Sequence, residues 1–280
     1  MKRISLLAAF ALLLCQLAGA QMSAEYYKSQ YERQVKVLGP SGVGVETIIN
    51  KWALVAPEDG DMLEARFNYY LSRSRTTKVE TRDARKYLGE KPMLELKDSL
   101  GAPIYYFQVE YYSDSLFVLG GKAIDKAIAL YPMELRYRVD KVNSLLSYEK
   151  ESPDMALSEL CRLVDFNEAS HPDWTLSGEA AGEDTFIQIV QEYSYRFWRI
   201  GTPSSYEAFR ALNEKMSKLY PKESTYLSNL GSYYLVAKDN KGKAKSYYKK
   251  ALKLNPEDYA ANKNMRIIQS SQSGKGQPSK

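Results

Sequence analysis

Few residues of the sequence have the types that enzymes use for catalysis. The single histidine, His171, lies in the stretch SHPDW, two residues before Asp173. In this order Asp173 could orient the imidazole as a base for Ser170 or Ser177. However, such a set within one short loop rarely has the separated, rigid geometry that nucleophilic catalysis requires. The pattern favours a histidine in a surface loop, and we expect no enzymatic activity.

Sites for a metal ion or a phosphate group are poorly supported as well. One histidine and one internal cysteine cannot supply the usual nitrogen and sulfur ligands of zinc. The glycine-rich stretch GPSGVG at 39–44 has no strand pattern before it and no Gly-Lys-Ser/Thr after it. It therefore predicts a linker and not a phosphate loop. We expect no cofactor and no metal.

Lysines form the densest charge feature of the chain: Lys238, Lys241, Lys243, Lys245, Lys249, Lys250 and Lys253. They could dock an acidic partner or a polyanion, but the pattern is more typical of the solvated outer face of a helix, with Asp239 and Glu257 nearby. The formal net charge of +5 includes Lys2 and Arg3, which leaves about +3 for the rest of the chain. This charge is too small to indicate binding to nucleic acid.

The N-terminus, MKRISLLAAFALLLCQLAGAQ, has the three parts of a secretory signal: two basic residues, an apolar run, and the small residues Ala18-Gly19-Ala20. We expect cleavage after Ala20, with residues 1–20 as the signal peptide. A membrane anchor is the alternative, but the apolar run is shorter than the roughly 20 residues that span a bilayer. Lipidation of Cys15 stays open, although Leu14 precedes it. The protein is expected to be exported, most simply to the periplasm, with an extracellular or envelope-associated location also open.

Removal of the signal would leave Cys161 as the only cysteine, so no intramolecular disulfide is expected. The stretch DMALSELCRLVDF places Cys161 on the apolar side of a helical pattern, beside Leu160 and Val164. A buried core cysteine is the prediction.

Most of the chain after residue 20 has helical periodicity, and prolines end several of its apolar runs, at Pro57, Pro132, Pro221 and Pro256. The last two prolines lie 35 residues apart. A period of 34 residues is typical of a helix-turn-helix repeat, and the long turn AKDNKGK accounts for one extra residue.

Two stretches interrupt the helical pattern. Apolar residues alternate around the turn DSLGAP, which predicts a β-hairpin inserted at about 92–112. The stretch NEASHPDWTLSGEAAGED predicts a loop. After Pro256, a helix at 257–270 is expected to cap the array, and 271–280 to be a disordered tail.

The segment 224–256 resembles a tetratricopeptide repeat in the spacing of its small and large residues: Leu227, Leu230, Gly231, Tyr234, Ala244, Tyr248, Ala251 and Pro256. The resemblance implies an all-α fold, a solenoid of helical hairpins over 21–270 with the small β-hairpin inserted. The order of "INKW", "ARFNYYLSRS", "LKDSLG" and "AIDKAIALYP" also resembles exported tetratricopeptide proteins of Bacteroidetes-type bacteria.

This resemblance implies a function as an interaction scaffold that binds a peptide or protein partner in the concave groove formed by the first helices of successive repeats. The positions implied for partner binding are Glu64, Asn68, Leu71, Ser228, Ser232 and Leu235. Ser228 and Ser232 replace the lysine and asparagine with which some members hold a terminal carboxylate, so no carboxylate clamp is expected. The alternative is a glycan-binding accessory protein of the envelope, with Tyr105 and Trp174 as candidates for sugar stacking. No membrane span is expected after signal removal.

Gly231 is unfavourable for stability at its position, because glycine in a helix interior costs about 1 kcal/mol relative to alanine. The repeat interpretation explains it. Without a side chain, the helix of Gly231 can approach the following helix closely near Ala251, with Tyr234 and Tyr248 beside them.

Overall fold

The computed structural model describes residues 22–273. In this part of the chain the helices are α1 (Ala24–Leu38), α2 (Val45–Val55), α3 (Gly60–Ser74), α4 (Asp114–Leu130), α5 (Leu135–Glu149), α6 (Asp154–Ser170), α7 (Glu183–Ile200), α8 (Pro203–Leu219), α9 (Ser224–Val236), α10 (Lys241–Leu254) and α11 (Tyr259–Ser273). The strands are β1 (Arg75–Arg82), β2 (Leu94–Lys97), β3 (Pro103–Tyr112), β4 (Thr175–Leu176) and β5 (Glu179–Ala180). The predicted fold class, an all-α array of tetratricopeptide-like helical hairpins with a small β insertion, is confirmed.

The chain forms two compact units. The first comprises the described residues up to Thr76 together with Tyr111–Tyr137, and the second comprises Thr77–Glu110 and the residues from Arg138 onward. The predicted signal peptide at 1–20 lies outside the described residues. The segment predicted as a tail begins inside α11, and residues 274–280 lie outside the described part.

In the first unit, α1 packs on α2, α2 on α3, and α3 on α4. Asp59 starts α3, because its carboxylate accepts hydrogen bonds from the backbone N–H groups of Asp61 (2.9 Å) and Met62 (3.3 Å). The same carboxylate accepts the indole N–H of Trp52 at 3.0 Å. One side chain thus fixes both the turn and the position of Trp52, which is buried in the core of this unit.

The inserted β element is a three-stranded sheet in the order β1-β3-β2. Strands β2 and β3 form the predicted antiparallel hairpin, in which Leu94 pairs with Tyr106 and Leu96 with Ile104. At its turn, the carboxylate of Asp98 accepts the backbone N–H groups of residues 100 and 102, each at 2.8 Å. This turn fixes the register of the hairpin.

Strand β1 was missed in the sequence. Its residues, RTTKVETR, follow α3 directly, with no glycine or proline to separate strand from helix. The β-branched Thr76, Thr77 and Val79 were the available signal, because such side chains favour strands.

In the second unit, each helix from α7 to α11 packs on the next, and α9 also contacts α11. The apolar faces of α7 and α8 supply completely buried residues, including Phe186, Val190, Phe197, Leu212 and Met216. The turn between these two helices combines Gly201, with φ at 76°, and a capping box in which Thr202 and Ser205 bond each other's backbone. This local chemistry reverses the chain and makes the two helices antiparallel.

Gly231 lies in α9 directly under the ring of Tyr248 from α10. A Cβ atom at position 231 would stand 2.5 Å from Cε1 of Tyr248, well inside van der Waals contact. The expected close approach of the two helices is therefore present. Its contact is with Tyr248 itself, which covers the glycine instead of lying beside it.

Trp174 is buried, contrary to the expectation that it is exposed for sugar stacking. Its indole N–H donates to Oδ1 of Asn167 at 2.8 Å, and its ring is stacked on that of Phe186. The stretch predicted as a loop here also contains the short β4–β5 hairpin. Trp174 thus anchors the loop to the core, which the polar composition of the stretch did not indicate.

Cys161 is half-buried, so the prediction of a cysteine buried in the core was wrong. Burial raises the pKa of its thiol above the ordinary 9.0. Among the helices of residues 22–273, none has the length and apolarity needed to cross a membrane.

The inserted segment is seated on the end of α7. Gly89 has φ at 79°, and a Cβ atom there would stand 2.2 Å from the carbonyl oxygen of Arg199. Beside it, the guanidinium of Arg199 donates to the carboxylate of Glu90. Only a residue without a side chain fits this contact, because both the backbone conformation and the space exclude a Cβ atom.

Candidate functional site

The residues that could have formed a catalytic triad do not meet in one. The Ser170 hydroxyl donates to the backbone carbonyl of Phe166 at 2.6 Å, and His171 ends α6 in the left-handed conformation, with its side chain exposed. Within residues 22–273, no group of three or more His, Cys, Asp and Glu side chains has an arrangement that could hold a metal ion.

The lysine cluster lies mostly on the exposed outer side of α10 and its preceding turn. Lys243 stands 3.9 Å from the ring centroid of Tyr234, and Lys238 pairs with Glu207 at 2.8 Å. Hydrogen bonds from Lys238 and from Tyr233 lower the pKa of Glu207 to about 2. Lys243 is thus engaged within the repeat, and Lys238 is engaged by the preceding helix, α8.

A cavity of about 770 Å³ opens in the second unit between α7, α9 and α11. We call it the α7–α9–α11 groove. These are alternate helices of the array, so the groove lies on the face that first helices of successive repeats share. Its lining residues are Gln188, Gln191, Glu192, Tyr195, Trp198, Phe209, Thr225, Asn229, Ser232, Val236, Tyr259, Ala260, Lys263 and Asn264.

A chain of buried amide and hydroxyl groups positions Asn229 in the groove. Nδ2 of Asn213 donates to the hydroxyl of Ser194 at 2.7 Å, and Nδ2 of Asn229 donates to Oδ1 of Asn213 at 2.9 Å. The chain joins α7, α8 and α9, and Ser194 and Asn213 are both completely buried. Because Nδ2 of Asn229 is turned into the protein, its Oδ1 is the atom left for a ligand.

Asn264 of α11 is held in the same manner. Its Nδ2 donates to the hydroxyl of Tyr248 at 2.9 Å, and the Tyr248 hydroxyl donates to Ser232 at 3.1 Å. Within residues 22–273, neither Oδ1 of Asn229 nor Oδ1 of Asn264 has a hydrogen-bond partner. Two fixed carbonyl oxygens, one on α9 and one on α11, are thus available in the groove as acceptors.

Aromatic rings form the rim and one wall. Tyr195 is 54% exposed and Tyr259 is 76% exposed. Trp198 is half-buried, held by ring contacts to Tyr206 and Phe209 at centroid distances of 5.0 and 5.1 Å. The ring edges and faces therefore offer apolar contact next to the polar acceptors.

The groove is electrically balanced, since Glu192 and Lys263 are the charged residues of its lining. The Lys263 ammonium lies 5.7 Å from the ring centroid of Tyr259. Amides, hydroxyls and rings make up most of the polar and aromatic surface. This chemistry suits a neutral ligand with donors and apolar groups better than a polyanion.

The three sequence-predicted residues on α9 have different positions. Ser232 lines the groove, and its part in partner binding stays a prediction. Ser228 does not reach it, because it is 2% exposed and its hydroxyl donates to the carboxylate of Asp258 at 3.0 Å. Leu235 is half-buried and packs against the core cluster around Tyr248.

The three predicted residues on α3 belong to the first unit. Glu64 and Asn68 line a smaller cavity of about 260 Å³, whereas Leu71 packs against the core of the unit. Arg136 bonds the carboxylates of both Glu64 and Asp61 at 2.8 Å. The charge of Glu64 is thus compensated inside the unit.

An ion network surrounds Asp61 in this cavity. Burial alone would raise the pKa of Asp61, but hydrogen bonds from Lys28 and Arg136 hold it below its ordinary 3.8. The carboxylate stays ionised and joins α1, α3 and the start of α5. These contacts indicate a structural role for the network.

Sequence reasoning missed most residues of the groove. Tyr195 and Trp198 occur in the aromatic stretch EYSYRFWRI, and Tyr259 and Asn264 occur in the predicted capping helix. The available signal was the repeat itself, because a groove lined by α9 needs the equivalent faces of the helices before and after it.

No protein-family model matches the chain, and no curated protein matches it. Among solved structures, YrrB, described as a TPR protein with an unusual peptide-binding site, is similar at 12% identity over 86% of this chain and 90% of that chain, with a TM-score of 0.38. MamA (41-end) from Desulfovibrio magneticus RS-1 is similar at 14% identity over 86% of this chain and 98% of that chain, with a TM-score of 0.39. At these values, neither likeness indicates what this chain binds.

Proposed function

We propose that the protein is an exported interaction scaffold that binds an extended, uncharged segment of a partner protein in the α7–α9–α11 groove. The observation that carries this proposal is the pair of amide oxygens, Oδ1 of Asn229 and Oδ1 of Asn264. Each is held by a hydrogen bond on the nitrogen of the same amide group. Backbone N–H groups of an extended peptide are the donors that such acceptors fit.

The aromatic wall supports the same ligand. Tyr195, Trp198 and Tyr259 would cover apolar or proline side chains of the segment, and rigid aromatic rings give large contact area at small entropic cost. Because Trp198 is already held by its neighbours, little of its freedom is lost on binding. The groove is in this sense organised before the ligand arrives.

Glycan binding is a second candidate, favoured by the exposed rings of Tyr195 and Tyr259 at the rim. Sugar rings stack on such faces, and sugar hydroxyls could donate to the two asparagine oxygens. Tyr105 is half-buried on the inserted sheet and is not a lining residue of the groove. The rim tyrosines therefore replace Tyr105 and Trp174 as the residues to test.

A displayed peptide library and a glycan array, each probed with the full chain, separate the two candidates. Binding can be followed by tryptophan fluorescence, because Trp52 and Trp174 are buried while Trp198 lines the groove. We expect selected peptides to lose at least about tenfold in affinity with Tyr195→Ala or Tyr259→Ala. Glycan binding that depends on these tyrosines, without any peptide signal, would replace the proposal by the second candidate.

Tyr26→Ala is the matched control, since Tyr26 is also an exposed tyrosine, at 42%, but lies on α1. It should leave peptide affinity unchanged. All three substitutions are on exposed rings, so melting curves should stay close to that of the wild type. Peptides whose affinity is unaffected by both groove substitutions would contradict the proposal.

Export is supported by the N-terminal sequence, and the exported tetratricopeptide proteins of Bacteroidetes-type bacteria are the proposed relatives. The test is N-terminal sequencing of the protein recovered from the envelope or medium of the producing cell. Cleavage after Ala20 is the expected result. An intact Met1 on the recovered protein would contradict signal-peptide removal.

A further inference from the structure

Strand β2 is an edge of the inserted sheet, since the strand order is β1-β3-β2. All four of its side chains are exposed, including Leu94 at 47% and Leu96 at 46%. An edge of this kind presents unpaired backbone groups that can accept a further strand. Its sequence, LELK, places a glutamate and a lysine on one face and two leucines on the other.

The hydrogen bonds of the hairpin show which backbone groups of β2 point outward. At one end of β2, the N–H of Asp98 donates to the carbonyl of Ala102. At the other end, the N–H of Met93 donates to the carbonyl of Tyr106, the residue that pairs with Leu94, so Met93 and Leu94 together face Tyr106 as in a β-bulge. Positions 94, 96 and 98 therefore bond to β3, and by alternation Glu95 and Lys97 point away from it. Among the described residues, neither Glu95 nor Lys97 takes part in the backbone hydrogen bonds made outside the strand ladders.

Outward groups at 95 and 97 restrict how a second copy of β2 could pair with the first. In an antiparallel arrangement, only registers that set outward-facing residues opposite each other form hydrogen bonds. One such register pairs Glu95 with Glu95, and another pairs Lys97 with Lys97; both bring like charges together. The third pairs Glu95 of each copy with Lys97 of the other, and only this register is complementary in charge.

We propose that the β2 edge is a self-association site, at which two copies of this chain pair antiparallel about a two-fold axis through Leu96. Both hydrogen-bonded pairs are then Glu95 with Lys97, and Leu96 meets its counterpart in the central, closely spaced pair. The exposed contact of Glu95 to Arg85, at 3.6 Å, is too solvated to compete strongly. The same pairing covers two half-exposed leucine side chains.

The area of such a contact is small, so the dimer is expected to be weak and concentration-dependent. Disulfide trapping suits a weak contact. In the full chain with Cys15→Ser and Cys161→Ser, Leu96→Cys places two thiols opposite each other across the axis, where Cα atoms are about 4.5 Å apart. We expect a cross-linked dimer under mild oxidation.

Leu94→Cys is the matched control, because Leu94 has the same side chain, strand, face and exposure. In the proposed register it lies opposite Asp98 and far from its own counterpart. It should cross-link at least about tenfold more slowly than Leu96→Cys, since thiols that cannot meet within about 7 Å do not form a bridge. Equal rates at the two positions would mean random collision and would overturn the proposal.

Charge reversal tests the register independently by sedimentation equilibrium. Glu95→Lys and Lys97→Glu should each weaken self-association by about tenfold, because both cross-strand pairs become repulsive. A mixture of the two variants should associate as heterodimers, and the double variant, Glu95→Lys with Lys97→Glu, should recover wild-type association. Circular dichroism checks that each variant keeps the fold.

Two results would refute the site. One is a wild-type chain that stays monomeric up to the solubility limit and gives no Leu96→Cys cross-link. The other is a dimer that the single charge reversals leave unchanged, since its interface would then lie elsewhere. Faster cross-linking through Glu95→Cys or Lys97→Cys than through Leu96→Cys would show a different register.

Discussion

Replacing Gly231 by alanine tests the central packing contact of the last repeat. The new Cβ atom would stand 2.5 Å from Cε1 and 2.6 Å from Cδ1 of Tyr248, where ordinary contacts begin at 3.4 Å. The ring would have to move by roughly 1 Å. It is completely buried, and its hydroxyl contacts both Ser232 and Asn264, so it cannot move without cost.

Two opposing effects set the magnitude. Overpacking a well-packed core costs about 1–3 kcal/mol, whereas alanine gains about 1 kcal/mol over glycine in a helix interior. We expect Gly231→Ala to lower the free energy of unfolding by about 1 kcal/mol, and Gly231→Leu to lower it by about 3 kcal/mol. If a smaller side chain at position 248 removes the clash, Gly231→Ala should show only the gain from the higher helix propensity of alanine.

Tyr248→Val supplies that background, because valine lacks the three ring atoms that the new Cβ atom would meet. There, Gly231→Ala should raise the free energy of unfolding by up to about 1 kcal/mol. Urea unfolding followed by circular dichroism measures the four corners of this cycle. Hydrogen exchange of the α9 and α10 amides locates the effect, since the two units need not unfold together.

Gly242→Ala is the control within the same helix pair. Its Cβ atom would meet only Oδ1 of Asn240, at an ordinary 3.6 Å, so a neutral or stabilising effect is expected. The reasoning is refuted if Gly231→Ala is as stable as the wild type while Tyr248 is present. It is also refuted if the effect of Gly231→Ala is the same with and without Tyr248.

Three further predictions follow from single side chains. Asp258→Ala should lower the free energy of unfolding by about 2 kcal/mol in urea titrations, because it leaves the buried Ser228 hydroxyl unpaired and uncaps α11; a change within error would contradict this. The pKa of Glu207 is lowered from 4.5 to about 2, so the ionised carboxylate stabilises the fold above pH 4.5, and this stabilisation is lost as the pH falls toward 2. The free energies of unfolding of the wild type and Glu207→Gln should therefore converge between pH 4.5 and 2. A difference that stays constant over this interval would contradict the prediction. Cys161 should react with iodoacetamide at pH 8 several-fold more slowly than a free thiol, because burial raises its pKa; equal rates would exclude the burial argument.

The repeat could be predicted from the sequence because its signal is local. Gly231, Tyr248 and Ala251 lie within one helix pair, and their small and large side chains follow the helical period. Strand β1 could not be found in the same way, since its pairing with β3 joins residues that are distant in sequence. Trp174 was misjudged because its burial depends on Phe186 of another element.

The groove shows the same limit. Ser232 was predicted from its place in the repeat and lines the groove, but the hydroxyl of Ser228, one helical turn earlier, is bonded to Asp258, the residue before α11. Helical periodicity says which residues share a face; it does not say which of them a neighbouring helix covers. The acceptors at Asn229 and Asn264 became visible only with the hydrogen bonds that hold their other atoms.

The contact between the inserted segment and the end of α7 also connects the groove to β2. Trp198 and Arg199 are consecutive residues in the last turn of that helix: the first lines the groove, and the second carries the contact with Gly89. Because Gly89 has no side chain, its backbone contacts the backbone of Arg199 directly. We therefore expect a ligand that displaces this turn through Trp198 to displace the segment that leads into β2 as well.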